Sequence, residues 1–226
     1  MPQVIPVRLQ KLFNTIDACA RCKAEKNPLR HVLGGGKFQN PKFCLLFINP
    51  THKNQSSRQT YRGRRRYPFI GVRHLYKGLA EAGFVDRNLI EKMYRRGWQL
   101  EDEHRIEKSL RENGVYITNF VKCARSNPIN PTKARMRESL PILAEELSIL
   151  NPEYIITFGL LPLEVLADNS FRLKDILKTV KQNKYKPMLS IPLNGRRYKI
   201  LPCYYPLGHG NPPKAQKILR HIKKRF

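Results

Sequence analysis

The chain has 226 residues, enough for one large domain or two small ones, and its 41% hydrophobic content is ordinary for a globular protein. Forty-three Lys and Arg against 17 Asp and Glu leave a formal charge of +26, far beyond what solubility needs, so a polyanionic partner is expected and nucleic acid is the commonest. No apolar run reaches the roughly 18 residues of a spanning helix, Met1 to Lys11 lacks the apolar core of a secretory signal, and the five Cys are therefore expected in a reducing, cytoplasmic setting as thiols or metal ligands rather than disulfides.

The first element is Lys42 to Pro50, a continuous apolar run closed by Asn49-Pro50, which suits a strand buried on both faces. An Arg-rich stretch follows, with Arg62, Arg64, Arg65 and Arg66 in five residues; a solvated charge run and a phosphate-binding loop are both compatible with it. Gly71 to Gly83 places Val72, Leu75 and Leu79 at helical spacing. Val115 to Val121 alternates like a strand, and Lys133 to Leu150 reads as a long helix entered through Pro131-Thr132. Tyr154 to Phe158 is a third strand with a helix running to about Ala167; Arg197 to Pro202 is a fourth, followed by a Gly/Pro-rich turn and a helix over 212–224.

Strands alternating with helices predict an α/β fold, a three-layer sandwich with a central, mostly parallel four-stranded sheet flanked by helices, read as a single domain over 1–226. In such a sheet ligands bind beyond the carboxyl ends of the strands. That directs attention to Asn49 to His52, Asn119 to Cys123, Gly159, and Tyr204 to Asn211. From residue type alone, Asn49 is equally a turn residue before proline, Phe69 a core aromatic, Asn119 a strand-end cap and Tyr205 a packed ring.

Four segments in order resemble the uracil-DNA glycosylase superfamily. Phe47-Ile48-Asn49-Pro50-Thr51 resembles its first motif, in the Asn-Pro form of the mismatch-specific and single-strand-selective branches. Pro68 to Gly71 resembles the segment whose aromatic stacks on an extruded base. Val115 to Cys123, with Pro152 to Gly159, looks like the iron-sulfur branch common in thermophiles, and Leu201 to Pro206 resembles the second motif with Tyr205 where His is usual. The resemblance covers about residues 17–222.

It implies a prokaryotic, nucleoid-associated and monomeric enzyme that hydrolyses the N-glycosidic bond of a deaminated base in DNA, uracil first, with hypoxanthine or xanthine as further substrates. Asn49 would orient the attacking water, Ile48, Phe69 and Asn119 would hold the base, and Tyr205 or His209 would take the place of the second-motif His. Leu207 would wedge into the space left by the base, and the arginines would bind phosphates. Cys19, Cys22 and Cys123 occupy three of the branch's four 4Fe-4S ligand positions, and the fourth is Ser139, a poor ligand for such a cluster. A cluster, zinc, and no metal all stay open at this point. So does a non-catalytic nucleic-acid-binding protein of the same fold.

Overall fold

The strands over 43–47, 115–119 and 154–158 are buried at every position, as a sheet covered on both faces requires. A computed structural model describes residues 4–19, 31–50, 73–97, 99, 102–124, 129–167, 173–182, 184–185, 189–193, 195–208 and 210–226. Its elements in chain order are α1 (Val7–Asp17), β1 (Gly35–Gly36), β2 (Phe43–Phe47), α2 (Arg73–Glu81), α3 (Arg87–Arg96), α4 (Asp102–Glu112) and β3 (Val115–Asn119). There follow α5 (Lys133–Leu150), β4 (Tyr154–Phe158), α6 (Leu160–Ala167), α7 (Leu173–Lys181), β5 (Leu189–Leu193), β6 (Arg196–Cys203) and α8 (Pro212–Arg225).

The sheet order is β1-β3-β2-β4-β6-β5. The four expected strands form its centre, and their pairings β3-β2, β2-β4 and β4-β6 are all parallel. The expectation of four strands is corrected to six among the described residues, in a mixed sheet, because an antiparallel strand lies at each edge. β1 is a pair of glycines, a residue with little strand propensity. Its pairing is imposed by β3: a Cβ on Gly36, at φ +111°, would sit 2.3 Å from the Val115 carbonyl, and one on Gly34 would collide with the Tyr116 ring. β5 pairs antiparallel with β6, with Leu193 opposite Arg196. The sequence between them reads Asn-Gly, a strong hairpin signal that sequence reasoning missed.

Side chains alternate across the pleat and build one core on each face. Phe43, Leu45 and Phe47 of β2 pack with Val115, Ile117, Ile156, Phe158 and Leu201 under α2, α3, α4, α7 and α8. Cys44, Leu46 and Ile48 pack with Tyr116, Ile155 and Ile200 under α1, α5 and α6. Capping fixes the helix starts: Asp86 Oδ1 accepts from the amides of Asn88 and Leu89, Thr132 Oγ1 from Arg135, and Asn211 Oδ1 from Lys214. The helices expected over 71–83, 133–150, 159–167 and 212–224 correspond to α2, α5, α6 and α8.

Among the parallel strands the chain starts at β2, moves to β3 on one side, and then crosses to β4 on the other. The direction of winding reverses between β2 and β4, and such a reversal opens a crevice at the carboxyl edge of an α/β sheet. The residues leaving β2 and β4, Ile48-Asn49 and Gly159, stand at that crevice.

Candidate active site

The strand register aligns the ends of β2 and β3, pairing Phe47 with Asn119. Pairing continues one step past the strands, with Phe120 N–H donating to Phe47 O (2.7 Å) and Val121 N–H to Ile48 O (2.9 Å). Asn49 therefore leaves a fixed backbone; it is 9% exposed, and among the described residues its amide makes a long 3.4 Å contact to the Pro50 carbonyl.

Across the crevice, Gly159 N–H donates to Cys203 O (2.9 Å), joining β4 to the end of β6. A Cβ built on Gly159 would lie 3.8 Å from Ile48 Cδ1 and 4.0 Å from Tyr205 Cβ, so these three expected positions converge. Phe47 stacks on Phe158 at 4.3 Å between centroids and meets the edge of Tyr205 at 6.2 Å. The result is an aromatic floor beside Asn119.

Asn119 is the most informative polar group there. It is fully buried, yet neither Oδ1 nor Nδ2 has a hydrogen-bond partner. An unsatisfied buried amide costs about 1–3 kcal/mol, and a fold retains such a cost most readily where a ligand supplies the missing partners. The adjacent residues of β3 are the opposite case. Tyr116 Oη donates to Glu146 Oε1 (2.7 Å), Thr118 Oγ1 donates to the same carboxylate (3.1 Å), and Lys122 Nζ contacts Glu146, Thr118 and the Asn119 carbonyl. This buried network holds the backbone of Asn119 while leaving its side chain unengaged. Sequence reasoning missed it, because Lys122 and Glu146 are 24 residues apart with no motif linking them.

Tyr205 is held in a tight return. Asn211 N–H donates to Tyr205 O (3.0 Å), Gly210 N–H to Leu207 O (2.9 Å), and a Cβ at position 210 would lie 2.2 Å from the Tyr205 carbonyl, so only glycine fits. Burial raises the Tyr205 phenol above its ordinary value, which keeps it a neutral donor. Leu207 packs partly on the core and borders a groove of about 470 Å³ with His74, Lys77 and Pro213. Phe69, His209 and Arg62, Arg64, Arg65 and Arg66 lie outside the described residues, as does Cys22.

The remaining expected residues share a second pocket. Cys19, Cys123 and Ser139 line a cavity of about 260 Å³ between α1, α5 and the segment after β3, together with His31 and Arg135. Ser139 Oγ donates back to the Arg135 carbonyl (3.0 Å), and Arg135 approaches Cys123 Sγ at 3.4 Å. His31 is 3% exposed, with Nδ1 3.6 Å from Asp17 Oδ1. Burial opposes its charged form, but Asp17, Cys123 and Cys19 outweigh burial and push the imidazole up to about 10. Among the described residues no three His, Cys, Asp or Glu side chains converge as a single metal ion requires. A metal site is therefore not shown among the described residues. Cys44 and Cys203 are fully buried in the two cores, and burial raises both thiols, as inert structural cysteines require.

The winding reversal and the strand-end asparagines define an αβα protein whose candidate site lies at the carboxyl edge of its sheet. The family comparison makes that class specific: the model of the uracil DNA glycosylase superfamily matches residues 34–223, and the chain belongs to that superfamily. A type-4 uracil-DNA glycosylase of Pyrobaculum aerophilum is 26% identical over 198 residues, covering 88% of this chain and 82% of the relative. Another protein of that name, from Archaeoglobus fulgidus, is 22% identical over 198 residues, covering 88% and 81%. No helix among the described residues is long and apolar enough to cross a membrane.

Proposed function

We propose that the protein is a monofunctional DNA glycosylase acting as a monomer on uracil in DNA, and that Asn119 reads the base while Asn49 orients water. The observation that carries this reading is the buried, unpartnered Asn119 amide beside the aromatic floor. Uracil offers a carbonyl next to a ring N–H, which an amide matches by donating from Nδ2 and accepting at Oδ1. Hypoxanthine and xanthine carry the same carbonyl and N–H pair, so they are secondary substrates. Cytosine and adenine present an amine and a ring acceptor in that place, the reverse pattern.

Catalysis breaks the C1′–N bond, the base departs with the bonding electrons, and water adds to C1′ as its proton passes to solvent. An amide cannot take up that proton, so Asn49 positions the water, and stabilisation of the departing base carries more of the work. Tyr205, a partly buried neutral phenol, donates to the base carbonyl as it gains negative charge. The phenol supplies no positive charge, so turnover is slower than with an imidazolium there; His209 is the other candidate donor. The +26 charge and the Arg62 to Arg66 cluster bind the phosphates, and Leu207 fills the gap left by the extruded base.

Cys19, Cys22 and Cys123 hold an iron-sulfur cluster in this reading, with a positioning role for the segments they join and no part in bond cleavage. The test is alkaline cleavage of oligonucleotides containing uracil, hypoxanthine or xanthine after incubation with the parent and with Asn49→Ala. The expected outcome is abasic sites from uracil, reduced roughly 100-fold or more by the substitution. Salt-sensitive binding without any abasic product would instead make the chain a non-catalytic binder of the same fold.

A further inference from the structure

We propose that the amino edge of the sheet, opposite the crevice, is a second DNA-binding surface, on which Lys42, Lys199 and Lys223 hold the phosphates of another duplex segment. The inference takes DNA at the crevice from the reading above and adds a separate contact on the far side.

The surface is built on the first residues of the central strands. Phe43 and Tyr154 open β2 and β4, lie opposite each other in the register, and stack at 5.9 Å between centroids. Phe84 meets Phe43 edge-on at 5.2 Å, and Phe226 lies 5.0 Å from Tyr154, so a row of rings runs along this edge. Ring faces attract ammonium groups. Lys42 Nζ lies 5.9 Å and Lys223 Nζ 5.5 Å from the Phe43 centroid, and Lys199 Nζ lies 5.2 Å from that of Tyr154. Lys223 is also 5.4 Å from the Phe84 centroid, and Arg225 stands over Phe226 at 6.0 Å.

In a chain with a formal charge of +26, many lysines must lack a carboxylate. These three differ in being gathered on one row of rings, which holds together charges that would otherwise separate on flexible stems. Among the described residues none of the three is paired with a carboxylate. Glu153, at the same edge, is engaged with the Tyr154 hydroxyl, and Glu112 with Lys108 at 3.7 Å. Burial and the Lys42 charge both push the Lys223 ammonium below its ordinary value, so the cluster repels itself in the free protein. Phosphates placed against the lysines remove that repulsion, and released counterions add to the gain.

Phe43 and Phe84 are fully buried and Tyr154 is 9% exposed, so these rings position the lysines rather than stack on bases or enter lipid. Lys42 and Lys199 are exposed point charges, which suits a duplex backbone held without regard to sequence. The two surfaces are separated by the length of α8. That helix starts at Asn211, bonded to the Tyr205 carbonyl, and ends beside this row of rings; its 14 residues span about 20 Å. DNA with a persistence length of about 150 bp does not turn back over that distance, so the occupant is a second segment.

Sedimentation equilibrium of the full chain with an excess of short uracil-containing duplex, at about 50 mM salt, tests this. The parent is expected to carry two duplexes per chain. A Lys42→Gln, Lys199→Gln, Lys223→Gln variant should carry one, with uracil excision at the parental rate. Lys42→Arg, Lys199→Arg and Lys223→Arg together should keep both duplexes. So should Lys11→Gln, Lys92→Gln and Lys174→Gln, which remove the same charge from α1, α3 and α7. If the first variant does not fold, Lys42→Gln with Lys199→Gln, both at exposed positions, gives the same readout. One duplex per chain in the parent, two in the glutamine variant, or an equal loss in the charge-matched variant overturns the inference. A parent that carries one duplex but is retained through these lysines on phosphatidylserine vesicles overturns it in favour of a lipid surface. Two duplexes without any abasic product support the inference and overturn the excision reading; excision with one duplex overturns the inference alone.

Discussion

Two buried polar groups stand next to each other on β3 and behave in opposite ways. Thr118 meets Glu146 and Lys122, and with Tyr116 it completes a network on the α5 face. Asn119, on the other face of the strand, has no side-chain partner. Burial is the same for both, so burial alone does not mark a functional residue. What separates them is satisfaction: a completed network positions the chain, whereas an incomplete one has room for a partner from outside the protein.

Breaking the completed side should have the largest effect. Glu146→Ala leaves Lys122 buried beside no carboxylate, and removal of one member of such a pair costs about 3–5 kcal/mol, or roughly 10 °C in melting temperature for a chain of this size. Calorimetry checks this; an unchanged melt would show that the network carries no load. Tyr205→Phe removes one donor while keeping the ring and should slow single-turnover uracil excision about 10-fold. A parental rate would pass the donor role to His209.

Smaller effects concern pH and salt. Burial raises Tyr76, Tyr185, Tyr205, Cys44 and Cys203, so the folded chain holds these protons more tightly than the unfolded chain does. Their contribution to stability is complete below the ordinary pKa values and is lost as pH rises toward the folded ones. His31, pushed up to about 10, adds a contribution that is complete below its ordinary value and is lost as pH rises toward 10, so the urea midpoint should fall progressively above about pH 6.5 and further above about pH 9; a midpoint that is flat into strong alkali would contradict this. Replacing Arg62, Arg64, Arg65 and Arg66 with Gln should weaken binding to all DNA sequences alike and flatten the log K against log salt slope by about 0.9 per lost phosphate contact. An unchanged slope would return that cluster to the solvated charge run.

The sequence made the centre of the fold legible and its edges illegible, for physical reasons. β2 is a continuous apolar run and β3 and β4 are rich in β-branched and aromatic residues, whereas β1 is a pair of glycines that becomes a strand only because β3 packs against it. Asn49, Ile48, Asn119, Gly159 and Tyr205 could be found because parallel strands deliver their ends to one edge. Lys122, Glu146 and His31 could not, because their significance lies in contacts between distant segments. The sequence alone also could not distinguish Thr118 from Asn119, since alternation assigns a face but not a partner.

The most direct measurement is single-turnover excision of uracil by Asn119→Leu, with its thermal melt recorded on the same preparation. Leucine approximates the shape of asparagine and removes the unsatisfied amide. If that amide is reserved for the base, the variant should melt at or above the parental temperature while excising uracil at least about 100-fold more slowly. Excision at the parental rate would contradict the assignment of Asn119 as the base reader. A collapsed melt would show instead that the amide serves the fold.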